Sequence, residues 1–288
     1  MNNAQPLVVN FHPLVEQGFT LAECPRWDWR NTSWCWVDIA QGELWRLDSE
    51  QQLTVRRWDD MLGCFAMYQQ AGYVLATKTG VYLLDSWDAE RQLISPLHKT
   101  HPRMRFNDGR AAPGGRFIAG TRNGAKEGDQ GQFFQLSQGG QLQPMPMYAW
   151  TCNGLAFSPC GNYLYWADTG SSVIYRADYD PATGQYGESQ PFCDLTDYHG
   201  RPDGACVDSE GGYWVAMYSG QSVVRIDPNG NVSHIIPVPL ENPTMVALGG
   251  IAGNQLVVTS AEGESEPGSV LTAVVDWQGM NEPLVTVL

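Results

Sequence analysis

Three oxygen-bearing side chains, Glu23, Asn153 and Asp203, hold matching places in a repetitive chain of 288 residues. Glu23 precedes Asp38 by 15 residues, and Asn153 precedes Asp168 by the same 15. Asn153 and Asp203 each lie 10 residues before a tyrosine, Tyr163 and Tyr213, and Asn107 lies 10 before Phe117. The same offset selects Gly63 and, with a slip of one residue, Thr244. Acids and amides gathered at one place are costly to bury without a partner, and one cation would satisfy them together. Glu, Asn and Asp bind through oxygen, a donor set that suits Ca²⁺, Mg²⁺ or Mn²⁺ over softer metals. Two carboxylates and an amide balance a dication and leave positions open for water and substrate, as a catalytic metal requires. Taken singly, N-D-G, N-G and P-D-G are ordinary turns. The shared register of separated segments, one carrying a glutamate that no turn needs, points to a site.

A repeated element must carry that register. Short apolar or aromatic runs recur at 34–37, 73–76, 116–119, 163–166, 213–216 and 255–258, about 39 to 50 residues apart. That period is close to the one expected of four-stranded propeller blades. A second strand-like segment follows most of them, as at 43–48, 80–84, 173–178 and 223–227, and two of these run into turns rich in Asp, Pro, Asn and Gly at 180–184 and 227–230. The expected fold is all-β: a six-bladed β-propeller, each blade a four-stranded antiparallel sheet, in one domain over residues 1–288. In a propeller the first strand of each blade lines the central channel, so Glu23, Gly63, Asn107, Asn153, Asp203 and Thr244 would form a ring facing the axis. A β-sandwich is the main competitor, but it has no need of six similar units.

Composition narrows the function. The net charge of −14 and a pI near 4.6 repel phosphate backbones and anionic lipid, which argues against nucleic acid as a partner. No run approaches the roughly 20 apolar residues of a membrane span. Residues 1–13 have neither the basic region nor the apolar stretch of a signal peptide. Seven cysteines without a C-x-x-C pair read as reduced thiols in a cytoplasmic protein. A monomer and a small homo-oligomer are equally compatible with the sequence.

The motifs resemble those of the senescence-marker-protein/gluconolactonase family, which includes regucalcin-like proteins. The resemblance spans nearly the whole chain. It rests on L-A-E-C-P-R-W-D at 21–28, W-V-D-I at 36–39, R-F-N-D-G at 105–109 and P-G-G-R-F-I-A-G-T at 113–121. N-G-L-A-F-S-P-C-G at 153–161, L-Y-W-A-D-T at 164–169 and P-D-G at 202–204 continue it. It implies a six-bladed propeller with one divalent metal, Ca²⁺ or Zn²⁺, in the central tunnel. Glu23, Asn153 and Asp203 would be the metal ligands, Arg105 and Asn107 would meet the substrate, and the activity would be hydrolysis of a sugar lactone. Asp203 would also serve as the catalytic base. Two positions depart from the family pattern. Relatives usually flank the first acid with glycines, where this chain has Ala22 and Cys24, and Cys24 sets a thiol beside a ligand. Cys160 stands where relatives often carry Asp, in a turn expected to be remote.

The remaining candidates are weaker. Asp108 would point away from the axis on an extended strand and bond loop amides. Tyr148 and Trp150, just before the Asn153 segment, are candidate walls of a sugar pocket. His199 is a candidate proton shuttle, equally readable as a rim residue, and His98 and His101 read as loop residues. No G-x-S-x-G elbow or H-E-x-x-H helix is present. Two rival functions stay open: phosphotriester or ester hydrolysis with the same metal, and a non-catalytic propeller that binds calcium or a sugar acid.

Overall fold

The second strand of each blade explains the apolar runs. In Ser33–Asp38 and Gly72–Thr77 every residue is buried, because these strands are covered on both faces by neighbouring blades. A strand buried on both faces reads as a continuous apolar run rather than an alternating one. The outermost strands, such as Leu53–Arg57 and Gln92–Pro96, are half-buried to exposed and carry charge and polar groups. Burial therefore falls from the axis outward within each unit.

A computed structural model describes residues 5–69, 71–98 and 102–286. All regular elements in it are strands, in six sheets. Each of the first four sheets takes four consecutive antiparallel strands, beginning with the inner strands Ala22–Asp28, Leu62–Tyr68, Met104–Ala111 and Cys152–Phe157. The fifth and sixth begin with Arg201–Val207 and Asn242–Gly249. Contacts between successive inner strands, including the sixth with the first, close the ring of blades.

Closure is made by the N-terminal part of the chain. The sixth blade draws three strands from residues beyond Asn242, and its fourth is His12–Pro13, antiparallel to Val270–Val274. Pairing the first segment with the last leaves no open seam in the ring. Gln5–Pro6 adds a fifth, parallel strand to the edge of the fifth blade, a departure from four strands per blade. At the other end of the chain, Val285 pairs with Tyr68, and the carboxylate of Glu282 lies 3.0 Å from Arg110 and 3.8 Å from Arg26. The C-terminal segment thus crosses one mouth of the channel, among the far ends of the inner strands. Turn chemistry holds the outer hairpins: the Asp227 carboxylate accepts the amide hydrogens of Asn229 and Asn231, both at 2.9 Å, before Gly230 at φ 88°. Among the described residues no helix is long and apolar enough to cross a membrane.

Candidate active site

All six inner strands contain one residue more than their partners along the same stretch. The register shifts fall between Glu23 and Arg26, Leu62 and Cys64, Phe106 and Gly109, Asn153 and Ala156, Pro202 and Ala205, and Pro243 and Met245. Every member of the ring read from the sequence lies at or inside one of these bulges. A bulge bends its strand and re-aims the local side chains, and here it recurs at the same end of each blade. Two bulges place a residue in the left-handed region directly after a candidate ligand: Gly154 at φ 63° and Cys24 at φ 53°. Glycine takes this conformation freely, and a Cβ at Gly154 would meet the Tyr213 hydroxyl at 2.3 Å. Cys24 takes it with a side chain, at some cost in strain.

The bulges open onto a cavity of about 480 Å³ lined by Glu23, Arg105, Asn107, Asn153 and Asp203. All five are buried. Gly63 and Thr244 complete the ring without joining the cavity. A side chain at Gly63 would strike the Phe106 carbonyl, and the Thr244 hydroxyl donates to the Ala22 carbonyl at 2.6 Å. Both serve packing between blades.

An ordered chain of hydrogen bonds fixes the amides. Arg105 donates to Asn107 Oδ1 at 2.8 Å, and Asn107 Nδ2 donates to Asn153 Oδ1 at 2.6 Å. Asn153 Nδ2 then donates to Thr169 Oγ1 at 2.8 Å, and Thr169 donates to the Pro202 carbonyl at 2.8 Å. Three blades are linked, and the last bond ends beside Asp203. Every donor meets an acceptor, so each amide has one orientation.

The carboxylates have no such support. Glu23 accepts one hydrogen bond, from the Cys24 amide at 3.0 Å. Among the described residues Asp203 accepts none and neither acid is in an ion pair. Burial, and then the negative charge of Asp108, push Glu23 up to about 8. Asp203 is held well above the ordinary carboxylate range by burial and then by Glu23 and Asp108. Arg105 is pushed down to about 10, by burial and then by Arg122. Two buried acids that destabilise each other's charge, beside an amide oxygen on Asn153, are the donor set an oxygen-seeking dication would satisfy. Glu262 also lines the cavity, but no group of three or more His, Cys, Asp or Glu side chains suited to a metal occurs among the described residues.

The weaker candidates separate clearly. Trp150 lines the cavity, whereas Tyr148 is 53% exposed and lies outside it. His199 and His98 are exposed and are not part of the lining; His101 falls outside the described residues. Asp108 points away from the cavity and accepts the Leu155 amide at 2.9 Å, pinning the third blade to the fourth. Cys24 lies in the core, its thiol against the Phe65 carbonyl at 3.6 Å and pushed up to about 11 by burial, so no thiolate faces the acids. Cys160 is exposed in a turn at the opposite mouth. Sequence reasoning missed Thr169, Arg122, Lys126, Arg201 and Tyr218, which also line the cavity. Of these only Thr169 carried a signal, as the last residue of the L-Y-W-A-D-T motif.

Fold and cavity together define a six-bladed propeller with an acid- and amide-lined pocket at one end of its inner strands. Residues 21–262 match the SMP-30/Gluconolactonase/LRE-like region, and the chain belongs to that family. It is 37% identical over 284 residues to a 6-deoxy-6-sulfogluconolactonase of Pseudomonas putida, covering 94% of this chain and 97% of the relative. It is 33% identical over 254 residues to an L-arabinolactonase of Azospirillum brasilense, covering 86% and 83%. The crystal structure of a calcium-binding protein, regucalcin, from Agrobacterium tumefaciens strain C58 superposes with a TM-score of 0.92 at 27% identity, covering 98% of this chain and 99% of that one.

Proposed function

We propose that this protein is a metal-dependent lactonase that opens a sugar lactone in the cavity between Glu23, Asn153 and Asp203. The observation that carries the reading is the pair of buried acids left without ion-pair partners beside an oriented amide. Folding alone gains nothing from such a pair, since each buried carboxylate without a counter-charge costs several kcal/mol. Lactonase names among relatives of more than 30% identity supply the reaction class, and the calcium-binding neighbour supports Ca²⁺ first, with Zn²⁺, Mn²⁺ or Mg²⁺ as alternatives.

Glu23, Asp203 and the Asn153 amide oxygen would hold the ion. When bound, it supplies polarisation of the lactone carbonyl and acidification of water. Asp203 takes the proton from the water that adds to the carbonyl carbon. Its oxygens, which accept no hydrogen bond among the described residues, suit that role. The ring C–O bond then breaks, the proton passes to the departing alkoxide, and the product is the open hydroxy acid. Arg105 presents guanidinium donors to ring substituents, and its bond to Asn107 holds that amide for the substrate.

A lactone panel on chelator-treated protein, with each ion restored in turn, tests this. Turnover that requires the ion and is lost in Asp203→Ala is expected. Full lactone turnover without any metal would sink the scheme. Metal binding with no turnover of lactones or phosphotriesters would favour a binding protein.

A further inference from the structure

Arginines in this chain almost all have partners. Arg110 pairs with Glu282, Arg225 with Asp208, and Arg46 lies 4.1 Å over the ring of Trp87. Among the described residues, the side chains of two arginines make no hydrogen bond, ion pair or ring contact: Arg122 and Arg201. Both line the cavity that holds Glu23 and Asp203, and Lys126 joins them there without an ion pair. The chain has 17 basic residues against 31 acidic. Yet the lining has four cations (the fourth is Arg105) and three acids, Glu23, Asp203 and Glu262.

These cations are held in place by backbone and loop. Arg122 lies opposite Arg105 in the antiparallel pair of strands, and it bridges across to Thr151 at the start of the next blade. Its charge bears on Arg105, Asp203 and Tyr218, so it reaches the same space. The loop after it is tied by Asn123, whose amide donates to the carbonyls of Glu127 at 2.8 Å and Asp129 at 2.7 Å. Lys126 sits on that loop at φ 54°. Arg201 comes from the fifth blade, two residues before Asp203. Two forked guanidinium groups and an ammonium, from two blades and unpaired, are donors for a group with several anionic oxygens.

We infer that the mouth formed by Arg122, Arg201 and Lys126 selects lactones that carry a fixed negative charge on the exocyclic end of the ring, as a sulfonate, phosphate or carboxylate. This rests on the lactonase reading and adds the substrate class. With the carbonyl at the acids, the charged end would lie toward the rim, where the three cations are exposed.

The test compares kcat/KM for glucono-δ-lactone with that for analogues bearing a phosphate, a sulfonate or a carboxylate at the exocyclic carbon. At least one charged lactone is expected to be preferred by about 10- to 100-fold, the scale of one or two charge-assisted hydrogen bonds. The three analogues identify which anion fits. The charged-to-neutral ratio should fall at least about tenfold in Arg122→Ala/Arg201→Ala, and it should shrink as salt rises. A second readout needs no turnover: glucitol 6-phosphate should raise the Tm of the metal-free protein more than glucitol does, and the double variant should lose the difference. Turnover of the neutral lactone with a ratio at or below one for all three anions overturns the inference and leaves the lactonase reading standing. Absence of any lactone turnover, with glucitol 6-phosphate no better than glucitol, overturns both.

Discussion

The strand Ala22–Asp28 carries a buried acid at each end, and the two have opposite electrostatic fates. Asp28, at the lower end, accepts hydrogen bonds from Arg30 at 2.8 and 2.7 Å and from the Tyr73 hydroxyl at 2.8 Å. Burial works against it, but those bonds and the Arg30 charge hold it below its ordinary value of 3.8. Glu23, five residues earlier, keeps one backbone hydrogen bond and rises to about 8. The fifth blade repeats the contrast: Asp208 accepts from Arg225 and Trp214, both at 2.8 Å, while Asp203 accepts nothing among the described residues. A propeller of this sequence can satisfy a buried carboxylate, and does so at one end of its strands. Acids left unsatisfied at the other end are better explained by a ligand than by the fold.

Exchanging the roles of the two ends gives the largest expected effect. Asp203→Ala should cut kcat/KM by about 10³-fold or more, as expected when a combined metal ligand and base is lost. The metal-free variant should keep or gain stability in urea, because an unpaired buried carboxylate has gone. A large loss of metal-free stability would erase the distinction between the ends. Asp28→Ala should do the reverse. It leaves Arg30 and Tyr73 without their acceptor and should cost about 3 kcal/mol in urea unfolding, with metal affinity per folded molecule little changed.

Metal binding should sharpen the same contrast more modestly. Ca²⁺ at 100 times its dissociation constant should add about 2.7 kcal/mol of stability, read as a rise in Tm over a chelator control. Glu23→Gln should lose most of that rise, and Arg105→Ala should keep it while weakening substrate use.

The pH profile of the metal-free protein should show two opposite trends. Glu23 has a raised value, so its contribution is fully present below 4.5 and is lost as pH climbs toward about 8. Asp28 has a depressed value, so its contribution is present above 3.8 and is lost as pH falls below that. Glu23→Gln should weaken the upper trend, to which the raised Asp203 contributes in the same direction, and leave the lower, while Asp28→Asn should flatten the lower, in urea titrations across pH. The smallest effect is expected at Cys24→Gly. Relief of the left-handed backbone and loss of a buried thiol oppose each other, and stability should move by no more than about 1 kcal/mol.

Much of the candidate site was legible because a propeller repeats. Once 163–166 and 213–216 are read as equivalent strands, Asn153 and Asp203 fall at one offset. Residues outside that register stayed hidden. Thr169 orients Asn153 from the end of a second strand, and Arg122 reaches the cavity from another. Their offsets from the ring follow hairpin geometry and loop length, which vary between blades. The bulges were equally silent: an extra residue leaves no mark on an apolar run, and only Gly154 hinted at one. Glu23 and Asp28 look alike in the sequence, and nothing local says which will find an arginine.

The sequence by itself determined the repeat, the number of blades and the register of the ring. These follow from local patterning: runs buried on both faces, turn residues with special backbone geometry, and a fixed offset between them. Tertiary structure decided the rest. The N-terminal strand closes the sixth blade, the bulges turn ring side chains into one cavity, and Arg30 neutralises Asp28 while Glu23 goes without. Each depends on which groups approach through space, and electrostatic satisfaction of a buried acid is set by those approaches and not by its neighbours in the chain.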